Sequence, residues 1–171
     1  MSKAKKNLRS ASPASANTSK ESKIRIIGGD WRGRKLPVLT ADGLRPTGDR
    51  LRETLFSWLM PYIHGANCLD AYSGTGALGF EALSRGAKKA TLIEKSAKNA
   101  QQLRENAKLL QANANIIHQD FHAWQPEETF DLVFLDPPFA DNLWQRAIDH
   151  LCSTNALAKN AIVYIEGPLN T

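Results

Sequence analysis

Asp136-Pro137-Pro138-Phe139 follows the strand-like run Phe130-Asp131-Leu132-Val133-Phe134-Leu135. Two prolines directly after a buried strand end its ladder and stiffen the turn, because neither donates a backbone N–H. The turn therefore sets one carboxylate, Asp136, and one aromatic face, Phe139, at a fixed separation at the carboxyl end of a sheet. Open α/β sheets bind their ligands at that end. Such a turn suits gripping an exocyclic amino group while stacking on the ring that bears it. A rigid strand-to-loop exit is the plainer reading.

A second constellation is Asp70-Ala71-Tyr72-Ser73-Gly74-Thr75-Gly76-Ala77-Leu78-Gly79, which joins an apolar run to a helical one. Its glycines allow a tight turn and close approach to a ligand beside exposed helix N–H groups. Gly74, Gly76 and Gly79 fit a GxGxxG pattern, and Glu94 lies about 20 residues on, as in the dinucleotide fingerprint. In that fingerprint, however, the first glycine follows the strand almost at once. Here Asp70 comes first, and a carboxylate repels a pyrophosphate while suiting a cationic or amino-bearing ligand such as S-adenosylmethionine. Glu94 can accept bonds from both ribose hydroxyls of either cofactor. Asp120 and Phe121 offer an acceptor for an adenine amino group and an apolar contact for its ring. His118 and His122 flank Asp120, but at a strand end and in a loop rather than on one helix face, so no metal is expected.

Elements must hold these groups together. From Asn67 the pattern alternates: strands at 68–72, 90–94, 115–118, 130–135 and 161–165, with helices at 77–85, 97–110 and 143–151. Strands spaced by helices predict a doubly wound, mostly parallel sheet. Before it, residues 24–38 read as a small hairpin turning at Gly28-Gly29-Asp30. Thr47 can cap a helix that carries Leu51, Leu55, Trp58 and Leu59 toward the core and stops at Pro61. The domain reading is a basic disordered tail over 1–22, the hairpin and a cofactor-covering helix over 23–61, and the ligand-binding domain over 62–171. Trp124 and Trp144 are read as packing or lid residues.

At 171 residues with two widely separated cysteines, the chain holds one core without a disulfide framework or zinc site, as suits a reducing compartment. The net charge of +5 is concentrated at the front. Lys3, Lys5, Lys6, Arg9, Lys20 and Lys23 face only Glu21 in the tail, and the body that follows residue 52 is slightly acidic. A basic front on an acidic body fits a polyanionic partner. Arg32, Arg34 and Lys35 beside Trp31 form a strip suited to nucleic acid, or equally a charge-protected strand edge. No stretch has the length of a membrane span.

These residues resemble a class I S-adenosylmethionine-dependent methyltransferase, and in particular the bacterial small-subunit (16S) rRNA guanine-N2 methyltransferases. The likeness spans about residues 24–166, from Arg25-Ile26-Ile27-Gly28-Gly29 and Leu44-Arg45-Pro46-Thr47 through the glycine loop to the proline turn. Arg45-Pro46-Thr47 is its most specific element. The resemblance implies a Rossmann-like fold and a cofactor held by Asp70, Tyr72, Ser73, Gly74, Thr75 and Gly76. Glu94 with Lys95, and Asp120 with Phe121, complete that site, and Arg45 and Thr47 close over it. It further implies that Asp136, Pro137, Pro138 and Phe139 grip the target base, and that Arg32, Arg34 and Lys35 touch RNA. The expected partner is 16S rRNA, naked or in an assembled small subunit, met by a cytoplasmic monomer. Adenine-N6 and protein-glutamine methyltransferases share the loop and the turn and remain alternatives, as do an NAD-type oxidoreductase and a catalytically silent RNA-binding module. Family members continue past the fifth strand of the sheet into a closing antiparallel hairpin. This chain stops at Thr171, so a C-terminally incomplete domain is expected.

Overall fold

Apolar runs of four to nine residues become the strands of a parallel sheet here, and three of its five strands are followed by an α-helix that packs back on the sheet. The computed structural model describes residues 22–39, 48–138 and 143–167. An antiparallel hairpin, β1 (Ser22–Arg25) and β2 (Lys35–Val38), leads into helix α1 (Asp49–Ile63). Then follow β3 (Asn67–Asp70), α2 (Ala77–Ser84), β4 (Lys89–Glu94), α3 (Ala97–Leu110), β5 (Ala114–His118), β6 (Phe130–Leu135), α4 (Leu143–Ser153) and β7 (Leu157–Ile165), with one 3-10 turn at Phe121–Ala123. The five-stranded sheet is parallel, in the order β5-β4-β3-β6-β7. Chain order reverses between β3 and β6, which places the switch point of the sheet there.

Alternate residues of each strand face opposite layers. Cys68, Leu92, Leu132 and Phe134 pack under α1, α2 and α3, with Ile24, Ile26 and Leu36 of the hairpin region in the same layer. Leu69, Ile93, Val133 and Leu135 face α4 and the turn bearing Phe121 and Trp124. Trp124 is thus core, whereas Trp144 is exposed.

Several boundaries differ from the sequence expectation, each for a visible reason. α1 runs two residues past Pro61, because Pro61 lies on the exposed side and the buried Ile63 anchors the last turn. Its buried stripe is Arg52, Leu55, Phe56, Leu59 and Ile63, leaving Leu51 and Trp58 exposed (47% and 72%). The helix is rotated from the expected face because that stripe contains an arginine, which a hydrophobic pattern skips. The cap position falls on Gly48, with no side-chain bond; Thr47 lies outside the described residues, as do the tail through residue 21 and the segment 40–47. β7 begins four residues before the expected start, since Lys159-Asn160 interrupts the pattern with a register irregularity and Asn160 at φ 63°.

The hairpin is fastened by a buried polar cluster. Glu81 of α2 is 0% exposed and accepts the Ile27 and Gly28 N–H groups at 2.8 and 3.2 Å. Arg52 (2% exposed) donates to the Arg25 carbonyl at 2.8 Å and to Asp49 at 2.9 Å, with its Nε 4.0 Å from Glu81. Gly29, at φ +80°, lies so close that a Cβ would fall 1.9 Å from the Ser84 carbonyl oxygen. No side chain fits there.

Candidate active site

A cavity of about 720 Å³ opens at the carboxyl ends of β3 to β7. Its size suits a small-molecule site. The strand ends and the turns just past them supply Asp70, Glu94, Asp120, Asp136 and Glu166, while among the described residues the Lys and Arg on its wall are Lys95 and Arg146. Gly48 and Leu51, where α1 begins, form part of the rim.

β3 ends at Asp70 rather than Tyr72, because the chain turns there: the Ser73 hydroxyl donates to the Asp70 carbonyl at 2.9 Å and the Ser73 N–H to the Ile93 carbonyl at 3.0 Å. Gly76, at φ +79°, is the N-cap of α2, and a Cβ there would sit 2.6 Å from Leu103. Having no side chain, Gly76 cannot cap the helix. Asp70 does so from a distance, its Oδ2 accepting the Gly79 N–H at 3.1 Å. Burial pushes the Asp70 carboxyl up to about 7, against the lowering effect of that N–H, and the charges of Asp136 and Glu94 add to the rise. Thr75 lines the cavity beside Gly74.

Glu94 binds the loop to the end of β4. Its Oε2 accepts the Gly74 N–H at 2.8 Å and its Oε1 the Ser96 N–H at 2.9 Å. Each oxygen keeps a lone pair for a ligand. Asp120 accepts the His122 N–H at 2.9 Å, which holds its carboxyl below the usual range, and faces Lys95 at 3.7 Å. Phe121 is buried against Tyr72, with ring centroids 5.4 Å apart. Tyr72 Oη lies 2.7 Å from His122 Nε2, and burial pushes the phenol up to about 12. His118 turns instead to the Lys95 carbonyl at 3.1 Å, so the two imidazoles serve different partners.

Across the cavity, Asp136, Pro137 and Pro138 leave β6 as its lining. Burial, then the neighbouring Glu166, pushes the Asp136 carboxyl up to about 6. Arg45 and Phe139, like Thr47, lie outside the described residues. Arg32, Arg34 and Lys35 do not join the cavity. The turn carrying them bonds the far end of α2, and Arg34 reaches the Leu109 carbonyl near the end of α3, at 3.4 Å. Since α3 starts near the cavity and runs 14 residues, the strip stands roughly 20 Å away along that helix. Glu166, Arg146 and the α1 residues Gly48 and Leu51 were not anticipated from sequence. For Glu166 a signal existed: it directly follows an apolar strand, as Asp136 does.

The family model described as conserved hypothetical protein 95 matches residues 24–171. The ribosomal RNA small subunit methyltransferase D of Haemophilus influenzae is 55% identical, over 84% of this chain and 78% of its own length. The solved structure of Escherichia coli yhhF is 49% identical with a TM-score of 0.78, over 84% of this chain and 81% of that one. A Thermus thermophilus 16S rRNA N2 methyltransferase, solved with AdoMet and guanosine, has a TM-score of 0.64 over 84% of this chain and 40% of that one. At 22% identity that likeness speaks for the shared Rossmann-like fold alone. With a match over nearly its whole described length, the chain belongs to the family described as conserved hypothetical protein 95 and stands with the proteins named ribosomal RNA small subunit methyltransferase D.

Proposed function

We propose that this protein methylates the exocyclic N2 of a guanine in small-subunit (16S) ribosomal RNA, using S-adenosylmethionine. One observation carries the reading: among the described residues, five carboxylates and two Lys or Arg side chains line a cavity at the switch point of the sheet. An electronegative cavity suits a cofactor bearing a sulfonium and an ammonium group, and it repels the pyrophosphate of a dinucleotide. Asp70 and the loop from Tyr72 to Gly76 would hold its amino-acid end, Glu94 and Lys95 the ribose, and Asp120 and Phe121 the adenine. When bound, the cofactor supplies a methyl group on a cationic sulfur, which keeps the S–C electron pair as the methyl leaves.

The chain's own residues then act on the acceptor. The guanine amine is a poor nucleophile because its lone pair is delocalised into the ring. Asp136 accepts one of its N–H bonds and the Pro137 carbonyl the other, which localises the lone pair toward the incoming methyl group. Asp136 takes the proton that the amine sheds. Pro138 keeps the turn rigid and Phe139 stacks on the extruded base, worth about 1–3 kcal/mol. Positioning supplies much of the rate. The substrate is bacterial rRNA, met in the cytoplasm by a monomer; no described helix is long and apolar enough to cross a membrane.

The test is transfer of labelled methyl from S-adenosylmethionine to unmodified small-subunit rRNA, naked and in assembled subunits, followed by nucleoside analysis. The expected product is N2-methylguanosine. Label in N6-methyladenosine or in protein glutamine overturns the substrate.

A further inference from the structure

Strands β6 and β7 run in parallel with Leu135 opposite Ile165, and the Glu166 N–H continues the ladder to the Leu135 carbonyl at 2.9 Å. The next residue of each strand is thereby an acid, Asp136 and Glu166, side by side on the cavity wall. Neighbouring strands lie about 4.8 Å apart, so the two carboxyl groups face the same volume. The cavity's other acids are all engaged by the protein: Asp70 by Gly79, Glu94 by Gly74 and Ser96, Asp120 by His122 and Lys95. Among the described residues, the Asp136 carboxyl has no hydrogen-bond partner but Glu166 itself, which the Tyr164 hydroxyl also approaches, and Glu166 Oε2 is buried without a hydrogen-bond partner. A buried carboxylate oxygen left bare is costly and calls for a reason.

The edge of a guanine supplies one. Its N1–H and N2 amino group are adjacent donors, whereas adenine sets an N1 lone pair beside its N6 amine. Two neighbouring carboxylates match the first and repel the second. Resting on the reading above, we propose that Glu166 selects guanine: its carboxylate accepts the N1–H of the extruded base while Asp136 holds the N2 amine. The same pairing relieves the repulsion between two acids that crowd one wall. Glu166 is in this view a recognition residue for the base, and it distinguishes this site from an amine-methylating site for adenine that has the same loop and proline turn.

The test compares two acceptors at the methylated position of the rRNA: guanosine, and 2,6-diaminopurine riboside, which keeps the N2 amine but carries a lone pair at N1. Wild-type protein is expected to methylate the second with kcat/KM about 100-fold lower, the scale of one buried mismatch. Glu166→Gln, whose amide presents a donor as readily as an acceptor, should lose most of its rate on guanosine and prefer 2,6-diaminopurine. Its melting temperature and S-adenosylmethionine affinity should stay near those of wild type. Equal wild-type rates on the two acceptors overturn the inference without any variant, so a folding defect in Glu166→Gln cannot shield it. Unchanged discrimination in a folded Glu166→Gln overturns it as well. Absence of transfer to guanosine at any position, or label in adenosine, instead sinks the underlying reading of the site and the inference with it.

Discussion

The Asp70 carboxylate, at the end of β3, accepts the N–H of Gly79 across the glycine loop at 3.1 Å, supplying the cap that Gly76 lacks. One acid thus serves the fold and the cavity at once. Its carboxyl is pushed up to about 7 from an ordinary 3.8. Between those values the native state keeps a proton that the unfolded chain has released. This contribution to stability is therefore full below about pH 4 and is lost as the pH rises through about 7. Asp70→Asn, which still accepts the Gly79 N–H, should flatten that decline. Urea midpoints of both proteins from pH 4 to 8 check it, and parallel profiles would place the effect elsewhere.

Asp136 should govern the acid limb of activity. With its carboxyl pushed up to about 6, kcat/KM should fall roughly tenfold per pH unit below that value as the acceptor becomes protonated. Asp136→Ala should abolish transfer while the dissociation constant for S-adenosylmethionine changes by less than about threefold. Equal loss of both, by kinetics and calorimetric titration, would move Asp136 to the cofactor side.

Glu94 holds two backbone N–H groups as well as its proposed ribose contact. Glu94→Ala should weaken S-adenosylmethionine binding first, by about tenfold or more, and lower stability by about 1–2 kcal/mol through the two stranded donors. Titration and urea unfolding read the two effects separately. An unaltered dissociation constant would remove the ribose contact and leave only the loop anchor.

Arg32, Arg34 and Lys35 stand away from the cavity, so their replacement should act on RNA affinity and spare the chemical step. The triple change to alanine should reduce the salt slope of RNA binding by roughly 2–3 units, with kcat at saturating rRNA within about twofold of wild type. A constant slope would put the RNA surface on another face.

The alternation of strand and helix from Asn67 was legible because half-buried strands and amphipathic helices carry distinct periods. The acids at 70, 94 and 136 could be read for the same reason, each closing or directly following an apolar run, and Asp120 stands just past the strand that ends at His118. What those acids grip was not legible. The partners of Glu94 and Asp70 are backbone N–H groups 20 and 9 residues away, brought near only by the fold. Arg52 defeated the reading of α1, since a pattern of apolar residues cannot announce a buried charge. Glu166 escaped notice because its importance comes from register with β6, and register is a property of pairing rather than of either strand. The basic strip was visible as charge, but its distance from the cavity depended on how the hairpin folds against α2.

Glu81 lies where the hairpin, α1 and α2 meet, and all three supply or border its partners. Letting any one of them drift would strand an anion in an apolar interior. Amide exchange of Ile27 and Gly28 should therefore report opening of the whole body rather than local fraying. α1 carries that constraint outward, since one end of it holds Arg52 in the cluster and the same turn presents Leu51 at the mouth of the cavity. The hairpin and α1 are accordingly a structural keystone, and a fragment lacking them should be a broken body rather than a smaller one.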